Sequence, residues 1–212
     1  MELVTYPDSE MMMIEVAQRL AGELRQRLSQ GEEASIAVSG GRTPGPIFDA
    51  LSAADLDWDR VSVLLTDERW VPEDSPRSNT RLVRERLLTG RAAAARFLPM
   101  YCDAPSPEEG IPRLVPAIAE VLPLTTCLLG MGEDMHTASI FPGADNLAEA
   151  LTGETILVPI RAPAAPEPRL TLSAAVLAGA LARHLVITGP EKREALERAR
   201  SLPPRRPPSR PS

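Results

Sequence analysis

Short unbroken apolar runs recur along the chain, and amphipathic stretches separate them. Over residues 9–29 the positions Ala17, Leu20, Ala21, Leu24 and Leu28 keep the three-four spacing of one buried helical face, with Ser9 placed to cap the helix and Gly31 to end it. ASIAV at 34–38 is a short, mainly apolar run of strand length, and Pro44 can open a helix whose inner face is Ile47, Phe48 and Leu51. The theme repeats with a strand at 61–65 (VSVLL), a loop holding Pro72, Pro76 and Asn79, and a helix bearing Leu82, Val83, Leu87 and Leu88 that Gly90 closes. Helical sequence returns at 111–122, where Pro112 and Pro116 work against it. A third strand lies at 126–129 (TCLL), and a weaker one at 156–160. An Ala/Leu-rich helix is predicted over 171–182, a last strand over 184–188 (HLVIT), and a final helix from Gly189-Pro190 onward.

Strands that do not alternate are covered on both faces, and helices lie between them. The expectation is an α/β fold: a mostly parallel open sheet with helices on both faces, a Rossmann-like variant. Residues 1–200 read as one domain without internal repeats. Residues 201–212 (SLPPRRPPSRPS) are too rich in proline and arginine to pack as helix or strand, and read as a disordered or polyproline-like end.

Composition narrows the function. Aromatic residues are 3% of the chain, so its 43% of hydrophobic residues must build the core from Leu, Val, Ile, Ala and Met. The formal net charge of −6 argues against a nucleic-acid partner, which needs a broad basic surface. No apolar run approaches the ~18–20 residues of a membrane span, and MELVTYPDSEMMM lacks the basic start of a secretory signal. Cys102 and Cys127 form no CxxC, so they read as reduced thiols of a cytoplasmic protein. Few aromatics leave no obvious sticky patch, and a monomer is expected. Lys192 is the single lysine beside 22 arginines.

Ligands of open parallel sheets bind beyond the carboxyl ends of the strands. Four predicted strand ends carry small or charged residues, and together they outweigh any one motif. Ser39-Gly40-Gly41-Arg42-Thr43 before Pro44 can cradle an anion, because glycines admit a close approach and the next helix offers free N–H groups. The same residues also suit a plain tight turn, and AVSGG comes one residue short of a nucleophile elbow that would make Ser39 an acylated nucleophile. Asp67-Glu68-Arg69 sets two carboxylates beside a guanidinium. A solvated turn is the default for such residues, but here a five-residue apolar strand delivers them to the rim. In Gly130-Met131-Gly132-Glu133-Asp134-Met135-His136, a histidine lies between glycines and acids. An imidazole titrating near pH ~6.5 suits proton abstraction, and Glu133 and Asp134 are placed to orient it. His184, at a strand start, reads as structural. Glu-Asp-Met after Gly130-x-Gly132 breaks the dinucleotide fingerprint, and neither cysteine is spaced to share a zinc with His136.

In this order the segments resemble the 6-phosphogluconolactonase family, through SGGRTP (39–44), DERWVP (67–72) with Ser78-Asn79, and GMGEDMHTASIFPG (130–143). The third block is the most specific. Two features depart from the pattern: Met135 stands where glycine is common, and the Pro/Arg-rich end is unusual. The resemblance implies kinship in fold with ribose-5-phosphate isomerase and glucosamine-6-phosphate deaminase. It further implies hydrolysis of a phosphorylated 1,5-lactone as the small-molecule partner, with no metal and no other cofactor. On this reading His136 takes a proton from water and Asp134 supports the imidazolium. Arg69 stabilises the oxyanion or binds phosphate. Ser39, Gly40, Gly41, Arg42, Thr43 and Asp67 hold the substrate, helped by Arg169 just before a predicted helix and Lys192 at the start of the last one. A sugar-phosphate isomerase or deaminase, a Ser39 hydrolase and a non-catalytic sugar-phosphate sensor remain as alternatives.

Overall fold

The fully buried run Ala34–Val38 becomes the central strand of a five-stranded sheet in the computed structural model, which describes residues 2–41, 43–163 and 165–202. The first helix, α1 (Ser9–Ser29), buries Met13, Val16, Ala17, Leu20, Ala21, Leu24 and Leu28. Its cap is Asp8 rather than Ser9: the Asp8 carboxylate accepts the Met11 N–H at 2.8 Å. There follow β1 (Ala34–Val38), α2 (Gly45–Ser52), β2 (Val61–Leu65), β3 (Asp67–Arg69), α3 (Asn79–Arg86), β4 (Arg96–Leu98), α4 (Pro107–Ala119), β5 (Thr126–Leu129), α5 (Leu147–Thr152), β6 (Leu157–Ala162), β7 (Ala165–Leu172), α6 (Ala174–Gly179), β8 (Ala182–Leu185) and α7 (Pro190–Ser201).

The main sheet has the order β4-β2-β1-β5-β8, parallel at every pairing. Its path runs outward from β1 to β2 to β4, then reverses to β5 and β8 on the other side of β1. Parallel crossovers are right-handed, so α2 and α3 fall on one face and α4 on the opposite one. The α1 helix packs on α2 and on β1, and α4 packs on β6 and β7. The expected open α/β sheet, flanked by helices on both faces, is therefore present. The main core of Leu, Ile, Val, Ala and Met side chains spreads over both faces of the sheet.

A second, antiparallel sheet of order β3-β7-β6 was not expected from the apolar pattern. It branches off where β2 ends: the Thr66 N–H donates to the Val38 carbonyl at 2.9 Å, and the Thr66 carbonyl accepts from Leu172 N–H at 2.9 Å. One residue thus joins both sheets. The β3 strand is three charged residues and β7 holds two prolines, so neither carries an apolar strand signature. The weak candidate at 156–160 is β6, in this second sheet. The helix expected over 171–182 is corrected: Thr171 and Leu172 finish β7, the Ser173 hydroxyl caps, and only Ala174–Gly179 is helical. The last strand sits two residues earlier than expected, because it pairs in register with β5 from Thr126↔Ala182 onward. The helix expected at 111–122 starts at Pro107 under a Ser106 cap and contains Pro112 and Pro116, with Leu114 and Ile118 anchored in the core. Of the segment 201–212, Ser201 closes α7 and Leu202 follows it. The expectation of a disordered end falls on residues 203–212, outside the described ones.

Candidate active site

The reversal in strand order between β1 and β5 creates a crevice where the two chains leave in opposite directions, the usual ligand position of a doubly wound sheet. The residues after β1 and those after β5 meet there. The Ser39 N–H donates to the Leu128 carbonyl at 3.0 Å, which holds the two strand ends together. A cleft of about 310 Å³ opens beside them, lined by Ser39, Gly40, Gly41, Thr43, Asp67, Arg69, Asn79, His136, Phe141, Arg169 and Lys192 among others. Nine residues singled out from sequence thus share one cavity. Arg42 lies outside the described residues, and Asp134 stands behind His136 rather than on the wall.

The turn after β1 needs its glycines for two different reasons. Gly41 has φ +95°, and a Cβ on Gly40 would collide with the Asn79 side chain. Asn79 in turn donates from Nδ2 to the Asp67 carbonyl at 3.0 Å, tying this turn to β3. Among the described residues, neither histidine hydrogen-bonds Ser39: His136 pairs with Asp134 and His184 with Glu23. The nucleophile-elbow alternative therefore has no base beside its serine.

The solvated turn taken as the default for 67–69 is corrected: Asp67 and Glu68 are buried. The Glu68 carboxylate is fully enclosed and accepts from the N–H groups of Arg69 (2.7 Å), Asn79 (2.8 Å) and Thr80 (2.7 Å), and from the Ser78 and Thr80 hydroxyls (3.2 and 2.9 Å). Burial pushes its pKa up, and these hydrogen bonds oppose the rise. Glu68 is an anchor for the start of α3, facing away from the cleft. Asp67 accepts from the Thr66 hydroxyl at 3.0 Å and from the Ser139 hydroxyl at 2.6 Å, so it fastens the loop after His136 to β3.

Arg69 and Arg169 face each other across the β3–β7 ladder. This corrects the placement of Arg169 before a helix: it is a strand residue. Like charges directly opposite in a ladder repel. The Arg69 guanidinium donates to the Arg77 carbonyl, and among the described residues the carboxylate paired with Arg169 is Glu167 at 3.9 Å, which already pairs with Arg77. Both Nε atoms are buried and find no hydrogen-bond partner among the described residues. Burial, then the Arg69 charge, pull the Arg169 pKa down, with Asp67 and Glu167 opposing. Guanidinium groups stay charged at working pH, so this wall of the cleft carries positive charge that the protein leaves under-compensated. Lys192, in the first turn of α7, lines the same cleft and adds a further positive charge.

The histidine lines the same cleft. Asp134 Oδ1 lies 2.5 Å from His136 Nδ1 and also accepts the His136 backbone N–H at 3.3 Å. Burial pushes the Asp134 carboxyl up, but the side-chain and backbone hydrogen bonds from His136 outweigh it and hold the pKa below its ordinary value. The loop folds back through Met135 N–H to Gly132 carbonyl (3.0 Å) and Gly132 N–H to His136 carbonyl (2.9 Å). That fold demands φ +70° at Met135, and a Cβ at Gly132 would collide with the imidazole. In the neutral imidazole that donates its Nδ1–H to Asp134, the lone pair is on Nε2. The Phe141 ring packs on the imidazole with centroids 4.2 Å apart, and Arg198 of α7 holds the Glu133 carbonyl at 3.1 Å. His184 has the structural role expected of it: its Nε2 meets Glu23 at 2.8 and 3.0 Å and ties β8 to α1. Phe141 and Ser139 were not singled out, because neither residue type advertises chemistry. Only their place in the block 130–143 could have flagged them.

Comparison with known proteins agrees with this geometry. The family model described as glucosamine-6-phosphate isomerases/6-phosphogluconolactonase matches residues 7–211. The 6-phosphogluconolactonase of Mesorhizobium japonicum is 44% identical over 207 residues, covering 95% of this chain and 86% of the relative. That of Pseudomonas aeruginosa is 44% identical over 187 residues, covering 87% and 79%. The crystal structure of a 6-phosphogluconolactonase from Shewanella baltica superposes with a TM-score of 0.89 at 33% identity, covering 92% of this chain and 84% of that one. A monomeric glucosamine-6-phosphate deaminase, at TM-score 0.72 and 16% identity over 93% of this chain and 86% of its own, shares the fold. Fold, strand-end residues and relatives agree: this chain belongs to the glucosamine-6-phosphate isomerase/6-phosphogluconolactonase family.

Proposed function

We propose that the protein hydrolyses 6-phospho-D-glucono-1,5-lactone to 6-phospho-D-gluconate, with His136 as the base that activates water. The observation that carries this reading is the pairing, in one cleft, of an Asp–His dyad with two under-compensated arginines. The first suits proton transfer and the second suits an anionic substrate. The relatives named as 6-phosphogluconolactonases support the substrate.

The phosphate meets Arg169, Arg69 and Lys192, the N–H groups of Gly40, Gly41 and Thr43, and the hydroxyls of Ser39 and Thr43. A phosphate carries about −1.5 to −2 charges, which matches a site built on two guanidinium groups. Fixing that end presents C1 to His136. Water attacks C1 as its proton passes to Nε2, and Asp134 stabilises the imidazolium through Nδ1–H. The tetrahedral intermediate collapses with cleavage of the C1–O5 bond, and the imidazolium returns the proton to O5. A lactone is already electrophilic, so a positioned base and a fixed phosphate suffice, and no metal or nucleotide is required. Asp67 orders the site through Ser139 and faces the substrate from the cleft wall.

The protein acts as a monomer in the cytoplasm and has no nucleic-acid partner. The net charge of −6 and the two free cysteines support this, and no helix among the described residues is long and apolar enough to cross a membrane. The test is opening of freshly generated lactone against the spontaneous rate with EDTA present. Fast EDTA-resistant opening is expected. A rate equal to the blank, together with ammonia release from glucosamine 6-phosphate, would move the assignment to the deaminase side of the family.

A further inference from the structure

Phe141 lies on the cleft wall between the two kinds of chemistry. It is 6% exposed, and its ring packs on the His136 imidazole at 4.2 Å between centroids with a 36° tilt. The Arg169 guanidinium carbon sits 5.8 Å from the centroid of the same ring. Its other contacts belong to a small apolar cluster with Ala144, Ala150, Val158, Ile160 and Ala162, separate from the main core. One phenyl ring therefore touches both the dyad and the buried arginine and is anchored from behind by the second sheet.

We infer that Phe141 is a positioning residue for proton transfer: its ring fixes the plane of the His136 imidazole and separates the imidazolium from Arg169. This rests on the reading of His136 as the base. Asp134 holds the imidazole by one hydrogen bond at Nδ1, which with the Cβ–Cγ bond leaves the tilt of the ring plane only partly fixed. The aromatic face removes that freedom, so Nε2 keeps its aim at the cleft. Charge gives the second reason. When the proton reaches His136, a further cation forms on a cleft that already holds Arg169, Arg69 and Lys192, against the nearby carboxylates of Asp134, Asp67 and Glu167. The electron-rich face of a phenyl ring attracts cations within about 6 Å, so Phe141 favours both charges while keeping them apart. An aliphatic side chain of similar bulk fills the space but supplies neither the flat face nor the quadrupole.

The test compares Phe141→Leu with Phe141→Tyr. In Phe141→Leu, kcat for lactone opening is expected to fall about tenfold, while KM and the affinity for inorganic phosphate stay within about twofold, because orientation of the base matters only in the transition state. Phe141→Tyr, which keeps the ring face, should recover most of the lost turnover. Combined with Asp134→Asn, the Leu variant should lose less than the product of the single losses, since both changes free the same ring. The chain has two histidines, so the His136 imidazole C–H resonances can be followed by NMR without substrate. They should carry an aromatic ring-current shift that disappears in the Leu variant and persists in the Tyr variant. If Leu destabilises the fold, Phe141→Met reads the same quantities. A Leu variant with normal kcat, or losses in kcat, KM and phosphate affinity that all track its melting temperature, would reduce Phe141 to packing. Absence of the ring-current shift in the wild type would overturn the stacking itself, whether or not the lactone is the substrate.

Discussion

Met135 occupies the left-handed region at φ +70° because the loop must fold back to bring Asp134 onto His136. For a residue with a Cβ this conformation costs about 1–2 kcal/mol. Met135→Gly is therefore expected to raise the melting temperature by roughly 2–4 °C per kcal/mol recovered in a chain of this size, with lactone turnover retained. A fall in melting temperature would show that the Met135 side chain contributes more than its backbone costs. The Glu68 carboxylate gives a converse case. Glu68→Gln turns one accepting oxygen into an amide NH2 that faces donors, and should lower stability by about 1–3 kcal/mol. Chemical denaturation measures it, and an unchanged midpoint would remove Glu68 as the anchor of α3. At this scale the sequence was readable where residue type announces chemistry: His136, Asp134, Arg69 and the glycines of the first turn. It was unreadable where the role comes from surroundings. A charged triplet at a strand end gives no sign that Glu68 will be enclosed by five donors, or that Asp67 will meet Ser139 from a loop 72 residues away.

Between elements, the second sheet decides the electrostatics of the cleft. The β3–β7 ladder forces Arg69 and Arg169 to face each other, at a cost the free protein bears. Arg169→Met should leave the melting temperature of the free protein equal or higher, because it removes a buried under-paired charge. In the wild type, inorganic phosphate should stabilise by about 2.7 kcal/mol at a hundredfold excess over its dissociation constant. Thermal shift with and without phosphate checks both. A phosphate-dependent shift that survives in the Arg169 variant would take the anion site off this ladder. A second tie joins α4 to β6, where the Glu108 carboxylate meets Arg161 at 2.6 and 3.1 Å. The hydrogen bonds from Arg161 hold the Glu108 pKa down to about 2, against 4.5 for the free group. A lowered folded pKa means the pair contributes above the unfolded value and loses its contribution as pH falls toward 2. Glu108→Gln should thus be less stable than wild type near pH 7, by no more than about 1 kcal/mol for so exposed a pair, and should converge with it as pH drops from 4.5 to 2. A stability gap independent of pH would contradict the pairing. The ladder was hidden in the sequence for a physical reason. Short antiparallel strands with prolines and charges follow no hydrophobic period, and their partners are set by the fold of the main sheet.

For the molecule as a whole, the parallel sheet was legible because strands buried on both faces are mainly apolar and do not alternate, as β1 and β5 show with Ser35 and Thr126 as their polar members. Their order was not, since nothing in β4 or β8 states which neighbour it takes. Yet the convergence of strand ends needed only the parallel sense of the sheet, and that convergence holds Ser39, Arg69, His136, Arg169 and Lys192 around one cleft. The central claim is that His136 Nε2 activates water while a separate group of cations holds the phosphate. The most direct measurement is His136→Gln with freshly generated lactone, read beside its thermal shift with inorganic phosphate. A loss of about 10²–10⁴ in turnover is expected, with a phosphate-dependent shift equal to that of the wild type. Turnover close to wild type would take His136 out of the reaction, and a lost phosphate shift would mean that base and anion site are one and the same.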